Sequence, residues 1–331
     1  MTTSVKTNDL SHILAPIAID FKALDGVIRL RLASKVALID QISTYIIQAG
    51  GKRVRPALLL LINKALGNGK ETPHALELAA VVEFIHTATL LHDDVVDEST
   101  LRRGRETANA AFGNAASVLV GDFLYSRAFQ MMVECQNMRV LDIVADATNV
   151  IAEGEVMQLM NMHDASLSED GYLNVIRSKT AKLFEASTRL PAVLMGSDAT
   201  TEDACARYGQ ALGTAFQVID DVLDYDGDAT LMGKNLGDDL REGKATLPLI
   251  FAMQRGNANE CALIKHAIEQ GEEQALHDIA SIVRNTGAMQ ATREAASAQA
   301  QLALDALEVL PASVHKSALQ ELAEQLLSRQ S

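Results

Sequence analysis

Apolar residues recur at three- and four-residue spacing along most of this chain, which reads as helix after helix. Residues 11–49 carry Ile28, Leu32, Val36 and Ile39 in this register, predicting two helices that end at Gly50-Gly51. A dense apolar run then predicts a helix over 56–66, because proline suits a first helical position. Gly67-Asn68-Gly69 reads as a loop, and Pro73 opens a helix that runs to Asp97. After a polar connection, helices are predicted over 115–136, 140–160, 171–189 and 201–225, with a polar loop over 161–170. Residues 226–247 form a long loop, and loops of that length usually carry function or lack order. From 248 onward, Ala, Leu, Glu and Gln at helical spacing read as scaffold. No alternating β-branched run and no GxGxxG occurs. The expectation is therefore an all-α fold, one domain over 11–331 behind a loose tail over 1–10.

Two stretches add chemistry to this pattern. The first, EFIHTATLLHDDVVDESTLRRGR over 83–105, sets Asp93, Asp94 and Asp97 ahead of Arg102, Arg103 and Arg105. A helix turns ~100° per residue, so Asp93 and Asp97 point the same way. Like charges so placed cost a few tenths of a kcal/mol, and no basic residue stands at i, i+4 to offset them. A hard divalent cation would: Mg²⁺ takes one or two carboxylates and completes its shell with water and phosphate. Arginine forks bind phosphate oxygens bidentately. Alone, the stretch reads equally well as a solvated acidic helix end before a basic turn. The second stretch, FQVIDDVLDYDGDATLMGK over 216–234, repeats the spacing with Asp220, Asp221 and Asp224, and Lys234 and Lys244 follow it. A solvated face would not need building twice, so the pair predicts two helices facing each other across a metal–phosphate site.

Other positions are more ambiguous. Gly51, Lys52, Arg53 and Arg55 precede or open a helix, a good setting for an anion but also for an ordinary basic turn. Lys179 beside Thr180 has the look of a Schiff-base lysine, yet nothing else supports carbonyl chemistry. Glu153, Glu155 and Gln158 read as structural or water-bridging, and His92 as structural. Gln217 lies about one turn before Asp220.

Composition narrows the classes. With 331 residues, nearly half of them apolar, a sizeable core is within reach. A net charge of −14 excludes a general nucleic-acid binder, which needs a basic footprint. Cys135, Cys205 and Cys261 form no CxxC pair and read as reduced thiols in a cytosolic protein. The opening MTTSVKTNDL has no apolar signal core, and the run over 56–62 is far shorter than the ~20 residues of a membrane span. A soluble, cytoplasmic protein with no transmembrane segment is expected.

DDVVD followed by RRG, DDVLD followed by GKNLGDDLREGKATLP, and the early GKRVRP together resemble the trans-isoprenyl diphosphate synthases. The resemblance runs over about residues 20 to 325. It implies an all-α bundle around a central cavity, and an enzyme that condenses isopentenyl diphosphate with an allylic diphosphate, farnesyl diphosphate above all. The family uses three Mg²⁺ ions. By that resemblance Asp93, Asp97 and Asp220 are the principal ligands, with Asp94, Asp221 and Asp224 in support. Asp93, Asp97, Asp220, Lys179 and Gln217 would carry the catalysis. Arg102, Lys179, Thr180, Gln217, Lys234 and Lys244 would hold the allylic diphosphate. Gly51, Lys52, Arg55, His86 and Arg103 would hold isopentenyl diphosphate.

HTATLLHDDVVD and IAEGEVMQLMN look most like the bacterial members that make octaprenyl diphosphate for a quinone side chain. Ala88 and Thr89 sit ~6–7.5 Å along the helix behind Asp93, where short-chain relatives carry aromatic rings. Small residues there imply a long product, with Phe129, Met131 and Met132 closing the channel further down. A shorter or longer polyprenyl product is the near alternative. A terpene cyclase would want rings around its cation, and this chain has no Trp and few Phe or Tyr. A non-catalytic partner subunit should lack acidic motifs, and both are present. The resemblance also implies a homodimer, through the apolar helices before Gly50 and around 115–132.

Overall fold

The computed structural model describes residues 10–48, 50–69, 72–102, 104–226 and 237–328. The tail over 1–9, Arg103 and Lys234 lie outside the described residues. The described chain is helical almost throughout, in agreement with the all-α reading. In order, the principal helices are α1 (Ala18–Leu32), α2 (Ala37–Gln48), α3 (Val54–Leu66), α4 (Ala75–Val96), α5 (Asn114–Glu134) and α6 (Met138–Met160). Next come α7 (Glu169–Ile176), a π turn (Arg177–Ala181), α8 (Lys182–Leu194) and α9 (Ala199–Asp226). The chain closes with α10 (Asp238–Arg241), α11 (Leu247–Arg255), α12 (Ala258–Gln270), α13 (Leu276–Asn285), α14 (Ala288–Ala306) and α15 (Val314–Leu327).

Local chemistry sets many of these ends. The Asn137 side chain accepts from Arg139 and Val140 N–H and starts α6, and Ser168 accepts from Gly171 N–H to start α7. Asn257 and Glu260 form a reciprocal capping box on α12, which Gly271 ends in the left-handed conformation. Three details depart from the sequence reading. Helix α3 starts at Val54, with left-handed Arg53 before it, so Pro56 falls on the third helical residue. Leu101–Arg102 pairs antiparallel with Arg105–Glu106, two strands too short for a periodicity to reveal. The segment expected as one helix over 171–189 is broken by the π turn, and α8 then continues through Pro191.

Helix α9 is the axis. Its first half joins the larger apolar cluster with α3, α4, α5, α6 and α8. Its second half, through Val218, Ile219, Val222 and Leu223, joins a second cluster with α11 to α14. The Tyr208 hydroxyl, buried in α9, donates to Leu319 O at 2.9 Å and ties the C-terminal helix to the axis. Helix α4 is the one described helix long and apolar enough to cross a membrane, but it lies against α5 and α3 with most of its apolar positions buried.

Helices α8 and α9 approach closely because glycine faces the contact. A Cβ at Gly209 would stand 2.2 Å from Thr188 Oγ1 and 2.4 Å from Phe184 O. Backbone cannot yield cheaply to such an atom, so Gly209→Ala is expected to lower the unfolding free energy by ~1–3 kcal/mol. Urea denaturation followed by circular dichroism measures this, and an unchanged midpoint would show that the two helices have slack.

Candidate active site

Both acidic motifs stand at the C-terminal ends of their helices. Asp93 and Asp94 occupy the last turn of α4, and Asp97 follows as its C-cap, donating its N–H to Asp93 O. Asp220, Asp221 and Asp224 occupy the last two turns of α9. Carbonyl dipoles make a helix C-terminus negative, so carboxylates there are disfavoured unless cations join them.

The chain supplies part of that positive charge. The paired strands after α4 return Arg102, whose Nε and Nη2 donate to Asp94 Oδ1 at 2.8 and 2.7 Å. Burial pushes the Asp94 carboxyl up, and Arg102 pulls partly against it. Asn109 Nδ2 donates to Asp94 O and holds the turn in place. On the facing side, Lys179 projects from the π turn, 2.6 Å from Glu155 and 3.6 Å from Asp93. A π turn inserts one extra residue per turn and so redirects the side chains it carries. Gly154 makes room for it, since a Cβ there would stand 2.6 Å from Lys179 N. From the other side, a Cβ on Gly213 would stand 2.7 Å from Ala181 Cα.

Thr180 Oγ1 donates to Gln217 Oε1 at 3.0 Å, and Gln217 Nε2 donates to Asp221 Oδ1 at 2.8 Å. The Tyr172 hydroxyl donates to the other oxygen of Asp221 at 2.6 Å. Burial, then the nearby Asp239, pushes Asp221 up to about 8 despite these two donors. Asp239 belongs to α10, and its N–H donates to Asp224 Oδ2 at 3.3 Å, which fastens the described end of the long loop. Lys244 follows, paired with Glu242 and 3.8 Å from Asp239. Burial opposes its charge, but Asp239, Asp97 and Glu242 outweigh burial and raise its pKa. One cleft is lined by Tyr172, Lys179, Thr180, Gln217, Asp220, Asp221, Asp239 and Lys244. Lys179 reaches from it to Asp93, and Lys244 feels Asp97, so the two motifs meet around two lysines.

The donor set is carboxylate oxygen throughout, which suits a hard divalent cation rather than zinc or copper. A cation bound there would favour the charged form of Asp221, which burial and then Asp239 oppose. Among the described residues, no three His, Cys, Asp or Glu side chains close into a metal cage.

A separate basic group precedes α3. Gly51 and Lys52 are exposed. Arg53, at φ 45°, is turned inward onto Asp25 and lies 4.0 Å from Glu83. Arg55 lies with its guanidinium carbon 4.4 Å above the centre of the Phe184 ring. His86 is half-buried two turns before Asp93, beside an apolar cavity that Thr87, Leu90, Leu91, Leu124 and Arg102 also line. Ala88 is fully buried, and the Thr89 hydroxyl donates to His86 O at 2.8 Å. Neither is among the residues lining that cavity. Met131 and Met132 are buried in the larger core cluster, and half-buried Phe129 packs against it.

Sequence reasoning missed Tyr172 and Glu242 here, and read Glu155 as structural or water-bridging. Glu155 contacts Lys179 directly, and burial, then Asp93, pushes its carboxyl up to about 7. Tyr172 holds Asp221, while Asp239 and Glu242 flank Lys244. Only Glu155 carried a signal, its adjacency to a glycine in a helix interior. Tyr172 depends on a contact between segments 49 residues apart, whereas Asp239 and Glu242 lie within five residues of Lys244.

The chain matches the polyprenyl synthetase family over residues 36–285. It is 51% identical over 305 residues to an octaprenyl diphosphate synthase of Haemophilus influenzae, covering 92% of each chain. It is 47% identical over 317 residues to an all-trans-nonaprenyl-diphosphate synthase (geranyl-diphosphate specific) of Rhodobacter capsulatus, covering 96% of this chain and 97% of that one. Its fold superposes with a TM-score of 0.93 on a polyprenyl synthase from Caulobacter crescentus, solved with calcium and isoprenyl diphosphate. That structure is 44% identical, with 99% of this chain and 100% of that chain covered. The chain therefore belongs to the polyprenyl synthetase family. By class it is a prenyl diphosphate synthase, a transferase of prenyl groups.

The raised carboxyls carry a pH signature. Between the ordinary Glu value of 4.5 and about 7, folded Glu155 binds more protons than unfolded Glu155. Asp221 does the same from 3.8 to about 8. Stability of the metal-free protein should therefore fall as pH rises across this window. Urea midpoints in chelator at pH 5 and 7.5 test it. Glu155→Gln should shrink the difference, and a midpoint that rises with pH would contradict the assigned shifts.

Proposed function

We propose that this protein condenses isopentenyl diphosphate with an allylic diphosphate, farnesyl diphosphate foremost, and repeats the step to a long all-trans polyprenyl diphosphate. The observation that carries the reading is two C-terminal acidic motifs meeting around Lys179 and Lys244, with a second basic group at Lys52 and Arg55. One diphosphate needs to leave and another to be held intact, and two separate cation groups suit that division. Eight isoprene units is the product proposed, for a quinone side chain. It follows the octaprenyl relative, and the nonaprenyl relative marks the neighbouring length.

Ionisation of the allylic C–O bond builds negative charge on the leaving diphosphate. Asp93, Asp97 and Asp220, supported by Asp221 and Asp224, would hold Mg²⁺, which when bound neutralises that charge. Lys179, Lys244 and Arg102 bind the same diphosphate. Arg102 is aligned by Asp94, Lys179 by Glu155, and Gln217 by Thr180 and Asp221. Lys52, Arg55 and His86 hold isopentenyl diphosphate so that its double bond faces the allylic cation. We also read residues 11–331 as one domain, because α9 is shared by both apolar clusters. The exposed Val118 and Leu119 on α5 and Val156, Leu159 and Met160 on α6 fit a homodimer, which sedimentation velocity reads directly. The three thiols, none in a disulfide, suit the cytoplasm.

Asp93→Ala should lower turnover ~10²–10³-fold at saturating Mg²⁺ with the fold intact by circular dichroism. Near-normal turnover would remove Asp93 from the metal set. If the growing tail passes Ala88, which is buried and outside the cavity beside His86, Ala88→Phe should shorten the product to roughly three or four units with primer consumption retained. Product sizing by chromatography decides. A folded variant that still makes the long product would send the tail along another face of α4.

A further inference from the structure

The C-terminal end of α6 bears on both lysines of the cleft. Glu155, on α6, meets Lys179 at 2.6 Å. His163, just past the end of α6, meets the backbone of Gly243, the residue before Lys244. The chain is left-handed at both residues, with φ 62° at His163 and 69° at Gly243. His163 N–H donates to Gly243 O at 2.8 Å. Its ring Nδ1 lies 3.0 Å from Ile268 O, and a carbonyl only accepts, so Nδ1 carries the proton and donates. Ile268 is buried in the last turn of α12. The ring covers Gly243 so closely that a Cβ there would stand 2.3 Å from Nδ1. Gly271, which ends α12, faces the same ring, and a Cβ on it would stand 3.5 Å from Cε1. Within the turn, Gly243 N–H donates to Leu240 O and Lys244 N–H to Asp239 O, both at 2.9 Å. Those bonds shape the turn without fixing it against the rest of the molecule. Asp239 N–H ties it to Asp224 at 3.3 Å, and His163 ties it to α6 and α12.

We propose that His163 is a positioning residue for Lys244. Its ring, anchored on Ile268 O, aims the His163 N–H at Gly243 O and so holds the turn that presents Lys244 to the allylic diphosphate. The proposal rests on the reading of Lys244 as a ligand of that diphosphate. A lysine ammonium sits on a flexible four-carbon stem, and ordering it on binding already weakens affinity. A backbone that also shifted beneath it would add to that cost. Histidine suits the post, because it tolerates a left-handed backbone better than most residues and carries a ring donor on a short side chain. The residue is otherwise exposed, so it can be changed without opening the core.

The test is steady-state kinetics of the full-length enzyme with His163→Gly, which deletes the ring and suits the left-handed backbone. KM for the allylic primer should rise roughly three- to ten-fold, the effect of one lost hydrogen bond, while KM for isopentenyl diphosphate stays within about two-fold. His163→Asn should restore most of the low KM, because its amide N–H can stand where Nδ1–H does and asparagine tolerates the same backbone. Lys244→Ala should raise the same KM, and His163→Gly added to it should raise it no further, because one interaction is removed twice. If Lys244→Ala leaves that KM unchanged, the ligand reading of Lys244 fails and the proposal with it. If Lys244→Ala raises it but His163→Gly does not, or His163→Gly raises both KM values alike, the proposal is overturned while the ligand reading stands. His163→Asn behaving as His163→Gly, or effects that multiply in the double variant, would overturn it as well.

Discussion

Carboxylates gathered at the negative ends of two helices are the constraint on which this structure turns. Each acidic motif is disfavoured as an isolated helix end, because the dipole and the like charges oppose it together. The chain answers with cations drawn from elsewhere: Arg102 from a short strand, Lys179 from a π turn, Lys244 from the far end of a long loop. Those cations do not saturate the site. Asp221 and Glu155 are still pushed up to about 8 and about 7, by burial first and by neighbouring carboxylates second. A site left in that condition favours any ligand that brings divalent cations and accepts hydrogen bonds from lysine and arginine. A metal-bound diphosphate does both.

Close packing serves this electrostatic arrangement. Lys179 needs to leave its helix at an angle that reaches Asp93, and a regular α-helix over 171–189 would aim it elsewhere. The π turn supplies the redirection, and Gly154 and Gly213 let helices approach it from both sides. The same α8–α9 seam, narrowed by Gly209, seats Phe184 beneath Arg55. The glycines of α9 thus bear on both the π turn that carries Lys179 and the ring that lies beneath Arg55. Through Tyr208 and the second apolar cluster the C-terminal helices pack against α9.

Much of this was legible in the residues. Helical spacing identified the main helices to within a few residues at most ends, because a 3.6-residue period is local. The two Asp triads, Lys179 with Thr180, and Gln217 stood out because motif spacing survives in one dimension. Their joint order, with the early GKRVRP, was specific enough to indicate the family that the comparisons then gave. What tertiary structure alone decided concerns partners distant in sequence. That Asp94 is engaged by Arg102, Asp221 by Tyr172 and Lys179 by Glu155 depends on segments 8, 49 and 24 residues apart. The π turn left no mark on periodicity, since one extra residue in a turn does not disturb a hydrophobic count. Arg53 and Arg55 looked alike as letters, and only the packing of α8 beneath one and the approach of Asp25 to the other separated them. Sequence fixes which side chains a helix can present. Which of them meet is set by how helices pack, and that depends on contacts no local pattern encodes.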